Sequence, residues 1–401
     1  MKKRRLIIIM LLMTIVLTGC WNRRELNELA IAVGFGVDKD GEQYRFSVQV
    51  VDPGEVAANK GGTSGRTPVT MYHMSAPTIF EALRKMTTVS PRKIYNSHLR
   101  ILVIGEEVAK DGLGEVLDFV SRDQEMRTDF YIVVAREGHT AEEALKILTP
   151  IEKIPANNLF HSLAASAKAW APSTTVTLDQ LIADLVSEGK QPVLTGLRIN
   201  GNAQIGQTNS NLEKIDNAAT LQYTGLAVFK EDKLIGWLNQ NDSIGYNFIL
   251  NNIKSTVGDL ACPGGGKMVI EVIRSDTKVK GFVEKGKPRI EVRSRIEANV
   301  GEMACHLDLT KTNNIAEIEK IASKRVQDLM NQTVSKVQKQ YKVDIFGFGE
   351  AIHRANATAW KAWKKDWDAQ FAKLPVDYKV EVKIRRLGTV SNSFLQEMNK
   401  E

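Results

Sequence analysis

The chain has 401 residues, a formal net charge of +7 and a sequence pI near 9.1. Four of its 54 basic residues lie within the first 19 positions, and the first acidic residue is Glu25. The rest carries 50 basic against 47 acidic residues, an ordinary mixed surface that argues against a nucleic-acid partner. The remaining length of about 380 residues is enough for two or three domains with cores of their own.

The first 19 residues have the pattern of a cleaved signal peptide. Residues 2–5 (KKRR) give a positive start, and the apolar run 6–17 contains one polar residue, Thr14. As a helix, this run would span about 18 Å, which is short of a hydrocarbon core of roughly 30 Å. The pattern therefore favours a leader that is removed over a permanent membrane span.

The leader ends in LTGC, residues 17–20, which resembles the lipobox of bacterial lipoproteins. In that motif the cysteine thiol receives a diacylglycerol and a peptidase cuts just before it. Cys20 is therefore predicted to be the lipid attachment site, and its acyl chains would hold a soluble body at a membrane surface. An ordinary signal peptide, or a short anchor with an incidental cysteine, is the alternative.

From residue 30 onward, strand and helix patterns are mixed. β-rich runs flank a turn at 38–41, which predicts a hairpin, and the glycine-rich stretch 52–68 predicts a mobile surface loop. The apolar runs ILVIG and YIVVA indicate buried strands, with a helix near 113–120 between them. Two further helices are predicted at 157–170 and 178–187.

The polar and poorly periodic stretch 200–219 is predicted to be a linker between two α+β domains. The first domain would cover 20–199 and could itself divide into two lobes. The second would cover 220–390 and be followed by a tail at 391–401.

The second domain begins with a hairpin pattern and continues with strands and one long helix. In 288–300 apolar residues alternate with charged ones, which indicates a sheet with one solvated face. Apolar residues recur at three- and four-residue steps across 315–341, which predicts a helix of about 40 Å packed against a sheet. The predicted fold class is multidomain α+β, with mixed and antiparallel sheets flanked by helices.

The sequence contains no complete catalytic or metal-binding motif, so no catalytic residue, metal or cofactor is predicted. CPGGGKM at 262–268 lacks the first glycine and the hydroxyl of a phosphate loop, and the histidines lack ligand spacing. The paired glutamates at 106–107 and 142–143 are expected on solvated helices, although a glycosidase pair could assemble from distant positions. Cys262 and Cys305 could form a disulfide, which their spacing does not decide.

One candidate partner surface is the charged stretch SRDQEMRTD at 121–129. It places Arg122, Asp123, Glu125 and Arg127 between a helix and a buried strand. These residues could form salt bridges that stabilise the end of the helix, which is a purely structural role. Alternatively, they could form a surface patch that docks a partner.

A second candidate is the stretch WKAWKKDW. Trp360, Trp363 and Trp367 recur at three- and four-residue spacing, so they would project from one helical face. That face could lie at a membrane interface, or it could be buried against the closing sheet.

Taken together, six segments resemble the spore germination receptor C subunits, the Ger(x)C lipoproteins, along nearly the whole mature length. They are LTGCWNRREL, YRFSVQVVDPG, PRKIYNSHLRILVIGEEVAKDGL, SRDQEMRTDFYIVVA, TGLAVFKEDKLIGWL and DIFGFGEAIHRANATAWKAW, in this order. Each segment alone is a weak signal, but all six in family order and spacing are highly specific. The chain departs from the family pattern at Asn22, where aspartate is common, and in RANATAW, where a proline is frequent.

The resemblance implies a non-enzymatic lipoprotein at the outer face of the cell membrane or the spore inner membrane. It implies two integral-membrane partner subunits in a receptor that senses small nutrients, with this subunit contacting the nutrient weakly or indirectly. The lipidated cysteine is the one functional residue that carries over, onto Cys20. The implied fold is α+β with distorted sheets and no common superfold.

Two other function classes remain open from the residues alone. A solute-binding lipoprotein of a membrane transporter would also carry a lipid anchor, but that class usually has two doubly wound lobes, whereas this chain shows hairpins. A surface enzyme, for instance one acting on peptidoglycan, would need catalytic groups from distant positions.

Overall fold

The computed structural model describes residues 28–53, 67–263, 265–305 and 307–388. These residues form two β-sheets with helices packed against them, which confirms the predicted α+β class with mixed sheets. Cys20 with its leader and the predicted tail 391–401 lie outside the described residues, and so does most of the predicted loop 52–68.

The larger sheet has parallel strands at its centre and antiparallel hairpins on both sides. Its strand order is β3-β2-β1-β5-β6-β7-β8-β9, and β4 pairs with the start of β1. The strands are β1 (Leu29–Asp40), β2 (Gln43–Val51), β3 (Val69–Ala76), β4 (Lys93–Tyr95), β5 (Ile101–Gly105), β6 (Tyr131–Ala135), β7 (Val193–Gly201), β8 (Ala219–Lys230) and β9 (Lys233–Leu238). The runs ILVIG and YIVVA are β5 and β6, and they are apolar throughout because both faces of these central strands are covered.

Helices connect the strands and cover the two faces of this sheet. They are α1 (Ile79–Lys85), α2 (Glu106–Asp111), α3 (Gly114–Arg122), α4 (Ala141–Lys146), α5 (Pro155–Ala169) and α6 (Leu178–Leu185). α1, α2, α3 and α6 pack on one face, together with Leu102 and Ile104 of β5, while α4 and α5 pack on the other, with Ile101 and Val103. The predicted helices near 113–120, 157–170 and 178–187 are confirmed as α3, α5 and α6.

The stretch 200–219, predicted to be a linker, connects two neighbouring strands of one sheet. β7 and β8 pair antiparallel, from Val193 opposite Val228 to Gly201 opposite Ala219. Between them lie the short helix α7 (Ala203–Gly206) and Asn211, whose buried side-chain amide donates to Leu148 O and Ala219 O. The segment therefore connects two paired strands of one sheet, and its role as a linker between domains stays a prediction. The domain boundaries on either side stay a prediction.

The smaller sheet contains a long hairpin. Its order is β10 (Thr256–Ala261), β11 (Lys267–Glu284), β12 (Lys287–Ala304) and β13 (Val376–Arg386), with β12 and β13 parallel and the other pairs antiparallel. The predicted alternation along 288–300 is confirmed, since Ile290, Val292, Ile296 and Ala298 face the core. The predicted long helix is α9 (Thr312–Lys336), which follows α8 (Gln240–Ile249) and continues as a π-helical turn to Tyr341.

A disulfide joins Cys262 to Cys305, which settles the pairing that the sequence left open. The S–S distance is 2.11 Å and the Cα–Cα distance is 6.3 Å. Cys262 directly follows β10 and Cys305 directly follows β12, so the bond fastens two ends of the smaller sheet together.

Candidate functional site

A cavity of about 870 Å³ lies between α1 and α3. Strands β2 and β4 contribute its base, and both helices contribute aromatic side chains to its walls. The apolar lining consists of Tyr44, Ile79, Phe80, Leu83, Ile94 and Phe119. Concave apolar sites of this size are the usual place for a ligand or a segment of a partner to bind.

Two phenylalanines, one on each helix, line this cavity. On α1 the buried residues are Ile79, Ala82 and Leu83, so Phe80 falls off the buried face and is 49% exposed. On α3 Phe119 is half-buried, and its ring centroid lies 6.2 Å from that of Phe80. Phe119 also packs against the core, so Phe80 is the more exposed of the two rings.

The charged rim of the cavity includes three of the four residues predicted in the stretch 121–129. Glu125 Oε1 lies 2.6 Å from Lys93 Nζ, and the Asp123 carboxylate accepts hydrogen bonds from Asn96 Nδ2 and from the Glu125 backbone N–H, both at 2.9 Å. Arg122 Nε lies 2.8 Å from the carboxylate of Asp118, one turn earlier. The salt-bridged helix end that the sequence suggested is therefore present, and it borders the cavity.

Arg127 is not part of this rim. It pairs with Asp129 at 2.8 Å, and both side chains are more than half exposed. The structure therefore brings together Arg122, Asp123 and Glu125, and it places Arg127 outside the group.

The lining of the cavity combines apolar and charged side chains. Among the described residues that line the cavity there is no cysteine, serine or histidine. Burial, followed by a hydrogen bond with Glu115, raises the pKa of Tyr44 to about 12, so its hydroxyl stays protonated at neutral pH. Apolar walls with a charged rim fit an amphipathic group.

The tryptophan surface proposed from the sequence is wrong for two of its three members. Trp360 and Trp367 are 2% and 4% exposed, and their rings meet edge to face at 5.1 Å. Trp363 is half-buried against the same core cluster. The stretch is divided into α11 (Ala357–Trp363), a 3-10 turn and α12 (Trp367–Phe371), after α10 (Phe348–Ala355), so these side chains do not share one solvent-facing helix face.

A buried carboxylate holds the tryptophan region in place. Asp344 accepts hydrogen bonds from the backbone N–H groups of Phe346 and Gly349, at 3.0 and 2.7 Å, and from Trp367 Nε1 at 2.9 Å. Burial raises the pKa of Asp344 to about 6, although these donors oppose the shift. This group is structural, since its oxygens are engaged by the surrounding core.

A second group of charged side chains lies at the start of α4. Glu142 pairs with Arg45 and with Lys146, and His73 Nδ1 lies 3.3 Å from it. Asp38 accepts hydrogen bonds from the first backbone N–H groups of α4. Glu142 and Glu106 are 7% and 8% exposed, so the expectation that both glutamate pairs are solvated is wrong for these two members.

No pattern in the sequence was strong enough to select Tyr44, Phe80 or Phe119 as site residues. Phe80 could have been noticed, since it is a large aromatic residue off the buried positions of a short helix. The cavity itself arises because α1, α3 and β4 meet in space, and that proximity is not encoded in any local pattern.

The comparisons with known proteins agree over nearly the whole chain. Residues 22–199 match the family described as spore germination protein N-terminal domain, and 224–388 match spore germination B3/GerAC like, C-terminal. The chain is 35% identical to spore germination protein KC of Bacillus subtilis (strain 168), over 98% of this chain and 97% of that protein. The chain belongs to the Ger(x)C family. This confirms the resemblance carried by the six sequence segments.

Further relatives of this Ger(x)C protein also cover most of its length. Spore germination protein YndF of the same organism is 26% identical, over 97% of this chain and 98% of that protein. The crystal structure of the GerBC protein superposes with a TM-score of 0.53 at 19% identity, covering 88% of this chain and 96% of GerBC. That likeness concerns the fold.

Membership of this family, whose members are not known as enzymes, is in line with the prediction that the chain is not an enzyme. Within the described residues, no helix is long and apolar enough to cross a membrane.

Proposed function

We propose that this Ger(x)C protein is a lipid-anchored, non-enzymatic subunit of a nutrient germinant receptor that is required for spore germination. It is held by acyl chains on Cys20 at the outer face of the cell membrane and, in spores, at the inner membrane. There it acts with two integral-membrane subunits. The observation that carries the proposal is the 35% identity to spore germination protein KC over 98% of the chain.

Physical chemistry supports the combination of an anchor with binding surfaces. An apolar leader followed by a lipobox-like LTGC precedes the folded body, and two acyl chains are enough for stable membrane attachment. Confinement near the membrane raises the effective concentration of the body toward embedded partners, so modest contacts suffice for assembly.

The anchor is tested by Cys20→Ala in the full-length protein. We expect the variant to leave the membrane fraction and the spores to lose their response to the receptor's nutrient. Mass spectrometry of the mature N-terminus of the unmodified protein should find an acylated cysteine at position 20. An unmodified thiol, or a leader still attached, would contradict the anchor.

The receptor assignment is tested by crosslinking in native membranes and by deletion. Capture of two polytopic proteins supports it, as does loss of germination with one nutrient while other routes remain intact. Capture of a transporter permease, together with tight binding of a small molecule to the purified body, would instead favour a solute-binding lipoprotein.

A further inference from the structure

We propose that the cavity between α1 and α3 binds the chain's own membrane-proximal segment, residues 21–27. The proposal deepens the proposed function and rests on it for the position of the membrane. It concerns the segment WNRRELN, which joins Cys20 to the folded body.

The path of the chain leads from this segment directly to the cavity. Leu29, the first residue of β1, pairs with Lys93 of β4, and Ala30 pairs with Ile94. Lys93 and Ile94 are both lining residues of the cavity, and paired strands lie about 4.8 Å apart. A segment of this length can extend at most about 25 Å, and the first described strand begins beside two lining residues of the cavity.

The composition of the segment complements that of the cavity. The segment supplies Trp21 and Leu26 as apolar groups, and its two cations, Arg23 and Arg24, exceed its one carboxylate, Glu25. The cavity supplies the half-exposed ring of Phe80, with the Arg84 guanidinium 4.8 Å from its centroid, and the half-buried ring of Phe119. Its carboxylates exceed its cations by one: Glu115, Asp118, Asp123 and Glu125 against Arg84, Lys93 and Arg122.

A short connection makes even a weak contact effective. Groups joined by a short flexible linker meet at effective concentrations in the millimolar range. A segment whose intrinsic dissociation constant for the cavity is about 1 mM would therefore occupy it for a large part of the time. Docking would also shorten the connection to Cys20 and turn the α1–α3 face of the body toward the membrane.

The experiment is disulfide trapping in the full-length protein in native membranes. Leu26→Cys is combined with Phe80→Cys at the cavity, and the matched control combines Leu26→Cys with Phe282→Cys on β11. Phe80 and Phe282 are similarly exposed phenylalanines, at 49% and 38%. A disulfide requires Cβ atoms about 3.5–4.5 Å apart, so mild oxidation reports proximity, and mass spectrometry identifies the linked peptides.

We expect an intrachain link with Phe80→Cys and none with Phe282→Cys. Equal linkage in both variants, or none in either, overturns the proposal. A link from Phe80→Cys to a separate polytopic protein also overturns it, because the cavity would then belong to a partner.

A second measurement follows trypsin cleavage after Arg24. We expect Phe80→Ser to accelerate this cleavage several-fold and Phe282→Ser to leave it unchanged, and equal rates would refute docking. The mass of the N-terminal peptide is read separately, so an unmodified Cys20 would remove the anchor without removing the docked segment, and the two failures are distinguishable.

Discussion

Two neighbouring carboxylates at the start of α4 show how local contacts decide the charge state of a buried acid. Burial raises the pKa of Asp38 to about 6, although backbone N–H groups of Ala141 and Glu142 oppose it. Burial also acts to raise the pKa of Glu142, but hydrogen bonds from Arg45 and Lys146 outweigh it and lower the pKa to about 2. A backbone donor compensates less than a full cation does.

Glu142→Gln is expected to reduce the free energy of unfolding at pH 7 by about 1.5–3 kcal/mol, since a charged hydrogen-bonded network loses its anion. The folded pKa of Glu142 lies below its ordinary value of 4.5. The carboxylate therefore stabilises the fold above that pH, and this contribution is lost as the pH falls toward 2.

Urea unfolding between pH 2.5 and 7 checks this prediction, with Glu107→Gln as the control because Glu107 is an exposed residue of α2. The difference in stability between the parent and Glu142→Gln should shrink as the pH falls. A difference that stays constant with pH would contradict the role assigned to Glu142.

At the scale of elements, the tryptophan stretch illustrates how a break in a helix redirects side chains. A 3-10 turn at Lys364–Asp366 separates α11 from α12, so the regular helical spacing from Trp360 to Trp367 is interrupted. Trp360 packs against His353 of α10, with ring centroids 5.9 Å apart, and against Trp367. The two tryptophans thereby join α10, α11 and α12 in one core.

Trp360→Ala is expected to lower the free energy of unfolding by about 3–5 kcal/mol, because it leaves a large cavity among these helices. Trp363→Ala serves as the comparison and should cost clearly less, since Trp363 is half-buried. Chemical denaturation of both variants measures the difference. Equal costs would contradict the deeper burial of Trp360.

The disulfide between Cys262 and Cys305 also stabilises the arrangement of elements. It closes a stretch of 43 residues that holds the β11–β12 hairpin. In the chain-entropy model, a loop of this length corresponds to roughly 4 kcal/mol of stabilisation.

The double variant Cys262→Ser/Cys305→Ser should therefore unfold at a markedly lower denaturant concentration than the parent. A reducing agent should lower the stability of the parent and leave the variant unchanged. A loss below about 1 kcal/mol would show that the reduced chain keeps this region ordered without the bond.

At the scale of the whole molecule, the larger sheet extends beyond the boundary that the sequence suggested. β8 and β9 belong to the sheet that begins with β1–β3. Their apolar residues are divided between two cores: Ala227, Phe229 and Leu234 join the core of α1–α3, while Leu226, Val228 and Leu238 join the core of α9–α12. The hairpin β8–β9 therefore contributes apolar side chains to both hydrophobic cores.

A fragment that ends at residue 199 is expected not to fold cooperatively, because it would expose the edge of β7 and lose the apolar residues of β8 and β9. A fragment that ends at residue 239 keeps the sheet complete and should be better folded. Circular dichroism during thermal unfolding compares the two. A cooperative transition in the shorter fragment would support an independent domain at 20–199.

The sequence by itself determined many of the elements, the fold class and the family. The patterns that predicted these elements are local. They include the apolar run ILVIG, the alternation along β12 and the helical periodicity of α9, each of which is visible within a few neighbouring residues. The six family segments likewise required only the order of residues along the chain.

The tertiary structure alone decided which surfaces exist. The burial of Trp360 and Trp367, the pairing of β7 with β8 and the disulfide all depend on residues far apart in sequence. So does the cavity beside Lys93, which is lined by elements from separate parts of the chain. A local pattern reports how a residue prefers to be placed, but packing between distant elements determines what is placed against it.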